Sequence, residues 1–357
     1  MTQIEFPVGL PQERLKFSQR TLVAPLALFA GVLVAYALTS FAILASASVP
    51  LLVILLVPVS GVLVVMLFVI AHDACHQSFT SSRTLNNWIG RIGMLPSLHA
   101  LSLWESEHNR RHHRFNNIRG MDYAWIPLSP QEFMDASAFT RLRYQFYRSP
   151  VGVPFYYLFD IWAQRKIFPR SKMVGRASRT HIWDALLLWV FTVGYSVLLI
   201  YVGDLFGRSA AASVVYALIL PFLIFIGAIS FAIFLHHTHY QVPWYGTLEQ
   251  WKRGNGALHG TVHVKFPLIV RRVTLQIMEH NAHHVAPGVP LYNLEEMQRS
   301  PTIGKVVEWP FSLKGYFRIC ARCKLYDFEQ NIWTDFGGKA TSGRLLDNDD
   351  RHTLGTG

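Results

Sequence analysis

"LLVILLVPVSGVLVVMLFVIAHDACHQSF", residues 51–79, sets a nearly unbroken apolar run, Leu51–Ala71, directly against "HDACH", residues 72–76. The run is long enough to cross a bilayer as a helix, which takes about 20 residues. Two imidazoles and a carboxylate at the end of an oily segment are costly groups to place there unless something binds them. His72 and His76 stand at i and i+4, so on a helix they share a face and can converge on one ion.

The whole chain agrees with a membrane reading. Of its 357 residues 51% are hydrophobic and only 15% charged, and the mean hydropathy is +0.24. A soluble domain carries about 25% charged residues. The net charge of +11 would suggest nucleic acid in a soluble protein. In a membrane protein it points first to cytoplasmic loops facing anionic lipid headgroups. The three cysteines, Cys75, Cys320 and Cys323, are too few for a disulfide framework. "CARC" at 320–323 has no second ligand pair, so two reduced thiols are expected there.

Residues 1–21 are polar, without the short apolar core of a signal peptide. Four spans are expected, at about 22–45, 51–71, 182–202 and 214–235. The first two are separated only by Ser46–Pro50. Within residues 72–180, Leu85–Trp104 and Val151–Trp162 are apolar but broken by Gly, Pro or Asn, and read as interfacial or re-entrant helices. That long segment is rich in arginine, and Arg14, Lys16 and Arg20 precede the first span, whereas the only basic residue in the two opposite loops is Arg208. The positive-inside rule places both termini and the long loop in the cytoplasm. The expected organisation is a cytosolic segment 1–21, a four-span unit 22–300 and a cytosolic segment 301–357.

With this topology the second and fourth spans both run toward the cytoplasm, the second ending in "HDACH" and the fourth in "HHTHYQ", residues 236–241. "HNRRHH" places His108, His112 and His113 at i, i+4, i+5, and "HNAHH" places His280, His283 and His284 at i, i+3, i+4. Neighbouring residues on a helix diverge by roughly 100°, so paired histidines such as His283 and His284 suit two metal ions better than one. Lone histidines more often serve structure, and His99, His181, His259, His263 and His352 are assigned to that background. No HExxH is present, which argues against a zincin-type protease. Imidazole accepts zinc, copper, iron or nickel, so spacing alone ends at a histidine-rich dinuclear site at the cytoplasmic membrane face.

The three boxes resemble those of the membrane fatty acid desaturase superfamily: H-x(3,4)-H, H-x(2,3)-HH and H-x(2,3)-HH in that order. "HDACHQSFTSSRTLNNWIG", "FLHHTHYQVPWY" and "MEHNAHHVAPGVPLYNLEEM" are similar to segments of the Δ12/ω-6-type acyl-lipid desaturases, and the likeness covers about residues 50–300. The resemblance implies an all-α integral membrane protein, four transmembrane helices in two hairpins with a cytosolic helical cap holding a non-haem di-iron site. It implies iron ligands at His72, His76, His108, His112, His113, His280, His283 and His284, with one more from the end of the fourth span. His237 is the first choice there, with His236 and His239 behind it. Three features depart from the Δ12 pattern: three residues rather than two between His108 and His112, a histidine at 236 where glutamine is common, and Cys75 one place later than the cysteine of the common H-D-C-G-H form, with Ala74 before it. No cytochrome b5-like segment is recognised, so a separate donor such as ferredoxin or a cytochrome b5-type protein is expected.

The implied reaction uses O2 and two electrons to place a cis double bond in a lipid-linked acyl chain. Unactivated C–H bonds are beyond side-chain acid–base chemistry, and the metal cofactor does that step. Asp73, Asp122 and Asn109 could orient ligands from behind. The alternatives are a hydroxylase or ketolase of the same superfamily acting on acyl chains, carotenoids or alkanes, and a non-catalytic metal-binding or transport protein. A transporter would place ionisable groups at mid-bilayer, whereas these spans are clean and the histidines gather at one end. A bacterial inner membrane is the expected location.

Overall fold

The structure, a computed structural model, describes residues 15–167 and 179–346. Four of its helices are long and apolar enough to cross a membrane: α1 (Val23–Ala45), α2 (Pro50–Cys75), α5 (Arg179–Leu205) and α6 (Ala210–His237). Between them lie α3 (Arg83–Met94) and α4 (Leu101–Glu107), and after them α7 (His280–Val285) and α8 (Leu294–Gln298), with shorter helical turns elsewhere. The protein is mostly helical but not wholly so. Two small sheets are present: β1 (Val262–Lys265) pairs in parallel with β2 (Val307–Pro310), and β3 (Leu325–Asp327) antiparallel with β4 (Ile332–Thr334). The β1 segment "VHVK" alternates apolar and polar residues and buries alternate side chains, the two-residue period of a strand.

The long helices overrun their apolar stretches. α2 continues to Cys75, so His72 sits on its last turn, and α6 continues through His236 and His237. A helix ends where backbone groups find other partners, not where hydropathy falls. α2 starts at Pro50, a residue suited to the first turn because its missing N–H has no partner there anyway. The sides of these helices are largely exposed apolar surface, as at Leu38, Leu55, Val190 and Val197. Such a surface suits lipid, because a helix satisfies its backbone groups internally.

Packing brings the ends of α2 and α6 together. α2 packs against both α1 and α6. α3 lies tightly across α2, because a β-carbon on Gly93 would come within 2.9 Å of the Leu67 carbonyl. The expected stretch Leu85–Trp104 is thus two helices, α3 and α4, broken at residues 95–100 where Leu98 takes φ of +54°. Val151–Trp162 is helical from Val153 and is held to α6 by the Ser230 hydroxyl, which donates to Val153 O. The C-terminal part packs back on the unit: Trp333 Nε1 donates to Val242 O, and Tyr326 N to Leu128 O. Cys320 and Cys323 are buried free thiols in this cluster, and burial pushes Cys320 up to about 11.

One polar contact ties α5 to α3 and α4. The buried Asp184 carboxylate accepts from Arg91 Nε at 2.7 Å and from Ser102 N at 3.0 Å. Asp184→Ala leaves a partly buried guanidinium without its acceptor, so a loss of roughly 1–3 kcal/mol is expected. Thermal unfolding followed by helix content in detergent should show a midpoint several degrees lower, with Asp184→Asn between the two.

Candidate metal centre

Nine histidines meet at the joined ends of α2 and α6, in two groups. One holds His72, His76, His108, His113 and His283; the other holds His112, His237, His280 and His284. In each group the ligand nitrogens lie within 4.8 Å of one another. His108 Nε2 stands 2.6 Å from His72 Nε2 and 2.9 Å from His113 Nε2, and His237 Nε2 stands 3.0 Å from His280 Nε2. The groups adjoin, with the rings of His113 and His284 stacked at 4.3 Å.

Helix geometry explains the division. In α7, His280 and His284 are one turn apart and serve one group, while His283 points across to the other. The second box repeats this with a wider turn. His108–His112 is π-helical, and the His113 N–H reaches back five residues to His108 O. One more residue per turn is accommodated, so His108 and His113 act as a pair and His112 crosses over. The extra residue that departs from the common Δ12 spacing is thereby absorbed. The adjacent pairs His112–His113 and His283–His284 each feed both groups, which stitches the two together.

The surroundings fix ring orientation. The buried Asp122 carboxylate lies 3.0 Å from His112 Nδ1, so that nitrogen carries the proton and Nε2 is left to face the group. Asp122 is itself held by the backbone N–H groups of Asn117, Tyr123 and Ala124. Asn117, which the sequence did not single out, puts its Oδ1 3.3 Å from His237 Nδ1 and donates to His237 O and Pro243 O. It sits at φ +58°, a conformation that asparagine tolerates better than most residues. Gln298 on α8 accepts from Ala282 N in the first turn of α7. Asp73 touches no histidine ring by hydrogen bond: it accepts from Ser78 Oγ and Leu291 N, and so ties the first box to the chain after the third. Asn109 donates to Cys75 O.

His236 and His239 lie outside both groups. His236 has Nδ1 3.0 Å from Val262 O and Nε2 3.4 Å from Met278 Sδ, and His239 Nδ1 accepts from Gln241 N. The background histidines stand apart too. His99 bonds Ser97 O and Tyr157, and His263 lies between Glu279 and Glu308. His259 and His181 belong to neither group, and His352 lies outside the described residues.

Electrostatics favour a cation here. Burial, reinforced by neighbouring imidazoles, pushes His108, His113, His280, His283 and His284 well below the ordinary imidazole value, and His76 to about 3. They are neutral at physiological pH, the form that ligates metals. Both ring nitrogens of His283 and of His284 are buried with no hydrogen-bond partner among the described residues. Buried polar atoms are normally paired, and this donor set, all imidazole nitrogen, fits a first-row transition metal.

An apolar cavity of roughly 100 Å³ abuts the centre. It runs between α2 and α6, with Phe68, Val69, Phe225 and Ile229 among its walls, and it touches His72 and His108 of one group and His280 of the other. Both histidine groups therefore border one apolar cavity, a feature that no residue spacing announced.

A family profile described as Fatty acid desaturase matches residues 46–305. The chain is 29% identical over 284 residues to a Picosynechococcus sp. protein named sn-1 oleoyl-lipid 12-desaturase, covering 78% of each chain. It is 29% identical over 270 residues to a Synechocystis sp. protein named sn-1 acyl-lipid omega-3 desaturase (ferredoxin), covering 72% of each. To a Brassica napus protein named omega-6 fatty acid desaturase, chloroplastic, it is 28% identical over 277 residues, which are 76% of this chain and 59% of that relative's length.

Asp122→Asn is expected to weaken metal binding about 10–100-fold, the usual cost of losing a carboxylate behind a ligating histidine, as read by chelator competition. The metal-free protein should also be acid-sensitive. The folded-state values of His108, His113, His280, His283 and His284 lie below the unfolded value of 6.5, and that of His76 lies near 3. The unfolded chain therefore takes up more protons as pH falls below about 6.5, and stability drops with it. Unfolding midpoints of chelated protein should hold level from pH 8 to about pH 6.5 and fall from there to pH 5; a flat profile down to pH 5 would contradict the neutral buried cluster.

Proposed function

We propose that this chain, which belongs to the fatty acid desaturase family, is a membrane di-iron acyl desaturase that uses O2 and two electrons to place a cis double bond in a lipid-linked acyl chain. The observation that carries the reading is the pair of histidine groups opening on one apolar cavity. One iron would be held by His72, His76, His108, His113 and His283, and the other by His112, His237, His280 and His284. When bound, the irons supply the oxygen activation that removes two hydrogens from unactivated carbon.

The protein's own part is positional. Asp122 and Asn117 keep His112 and His237 facing their group. Phe68, Val69, Phe225 and Ile229 exclude water and hold a methylene pair against the ligand set. Holding the chain this way converts an encounter into an oriented reaction, which is where a positioning site does its work.

The same reading arranges α1–α2 and α5–α6 as two hairpins, joined by residues 46–49 and 206–209, with the histidines under a cytosolic cap. The four-span unit is residues 22–300, flanked by cytosolic segments 1–21 and 301–357. Arginine enrichment between the second and third spans supports the cytoplasmic placement of the site. A bacterial inner membrane suits relatives from Picosynechococcus and Synechocystis. The electrons come from a separate carrier, ferredoxin or a cytochrome b5-type protein, and a ferredoxin is named for the Synechocystis relative.

The test is a fatty acid profile from a host with saturated and monounsaturated membrane lipids and a competent donor. A new cis double bond is expected with the native chain and its complete loss with His283→Ala. A hydroxylated product or an unchanged profile, with iron bound, would overturn the reading.

A further inference from the structure

The cavity beside the metal centre is closed at its inner wall and open at its rim. Phe68, Trp104 and Phe225 are buried, whereas Val65 and Ile229 are half-buried and Ala228 is exposed, although all line the same space. Val65 precedes His72 by seven residues on α2, and Ala228 precedes His237 by nine on α6. At the helical rise these offsets are about 10 Å and about 13 Å. The rim therefore lies well within the membrane-crossing stretch of both helices, on their sides and not at their polar ends. At that depth a bilayer is hydrocarbon, in a core about 30 Å thick.

Ala228 is an exposed small side chain on the cavity lining, opposite the longer Val65. The other end of the cavity is bounded by His72, His108 and His280.

We propose that the gap between Val65 on α2 and Ala228 on α6 is a lateral portal through which an acyl chain still attached to a membrane glycerolipid enters the cavity from the bilayer. Its headgroup stays at the interface while the chain slides sideways toward the metal groups. A chain on a soluble carrier would not need a mouth at this depth. The assignment of the chain's fate rests on the desaturase reading, but the portal does not.

The portal can be tested without turnover. The full-length protein, in membranes containing phosphatidylglycerol with a diazirine on its acyl chain, is illuminated and its labelled peptides are identified. Label is expected on α2 and α6 around Val65 and Ala228 and on the peptide carrying Met278, deep in the cavity. Ala228→Trp should cut the deep label several-fold, and Val65→Trp should do the same from the opposite wall. Val193→Trp, on an exposed face of α5, should not change it. Ala228→Leu, a milder plug, should fall between, and bound iron should match the native protein in the variants that are scored. Undiminished deep labelling in both tryptophan variants would overturn the portal. So would full conversion of lipid-borne chains by both. Labelling that responds as described in a protein that forms no double bond would leave the portal standing and remove the desaturase reading.

Discussion

Nine imidazoles share one largely buried region, with ring nitrogens as close as 2.6 Å and several lacking any hydrogen-bond partner among the described residues. Without a cation this arrangement is unfavourable twice over, through desolvated polar atoms and through mutual repulsion whenever a proton is taken up. The rest of the structure holds these rings in place against that cost. α2 and α6 deliver histidines to one depth, Gly93 lets α3 brace α2, and Asp73 links the first box to the chain beyond the third. The proposed irons turn the same cluster from a liability into the joint on which the helices close.

The two groups are interdependent through their adjacent pairs. Because His112 and His113, and again His283 and His284, diverge by a helical step, neither short helix can shift without disturbing both groups. The second box reaches this result through a π-turn and the third through a regular helix, so the division is governed by direction and not by a fixed count of residues. Asn117 then ties the loop after the second box to the end of α6, which places a ring from the fourth span beside rings from two short helices.

Much of this was legible in the sequence. Long apolar runs disclose candidate spans because few other structures need them, and the boxes disclose candidate ligands because clustered imidazoles at helical spacing have few other uses. The ends of α2 and α6 were not legible, since hydropathy stops at the first polar residue while backbone hydrogen bonding continues. Asn117 was missed because its role depends on a left-handed backbone and on contacts 120 residues away. His236 and His239 could be ranked behind His237 but not excluded, because which ring turns inward is decided by Val262 and Met278, far along the chain. The cavity and its open side arise from the packing of two helices and have no linear signature.

The most direct measurement is an iron-edge anomalous difference map from crystals of the iron-loaded protein. The account requires two peaks: one bound by His72, His76, His108, His113 and His283, the other by His112, His237, His280 and His284. A single peak, or one peak ligated by both His112 and His113, would contradict it.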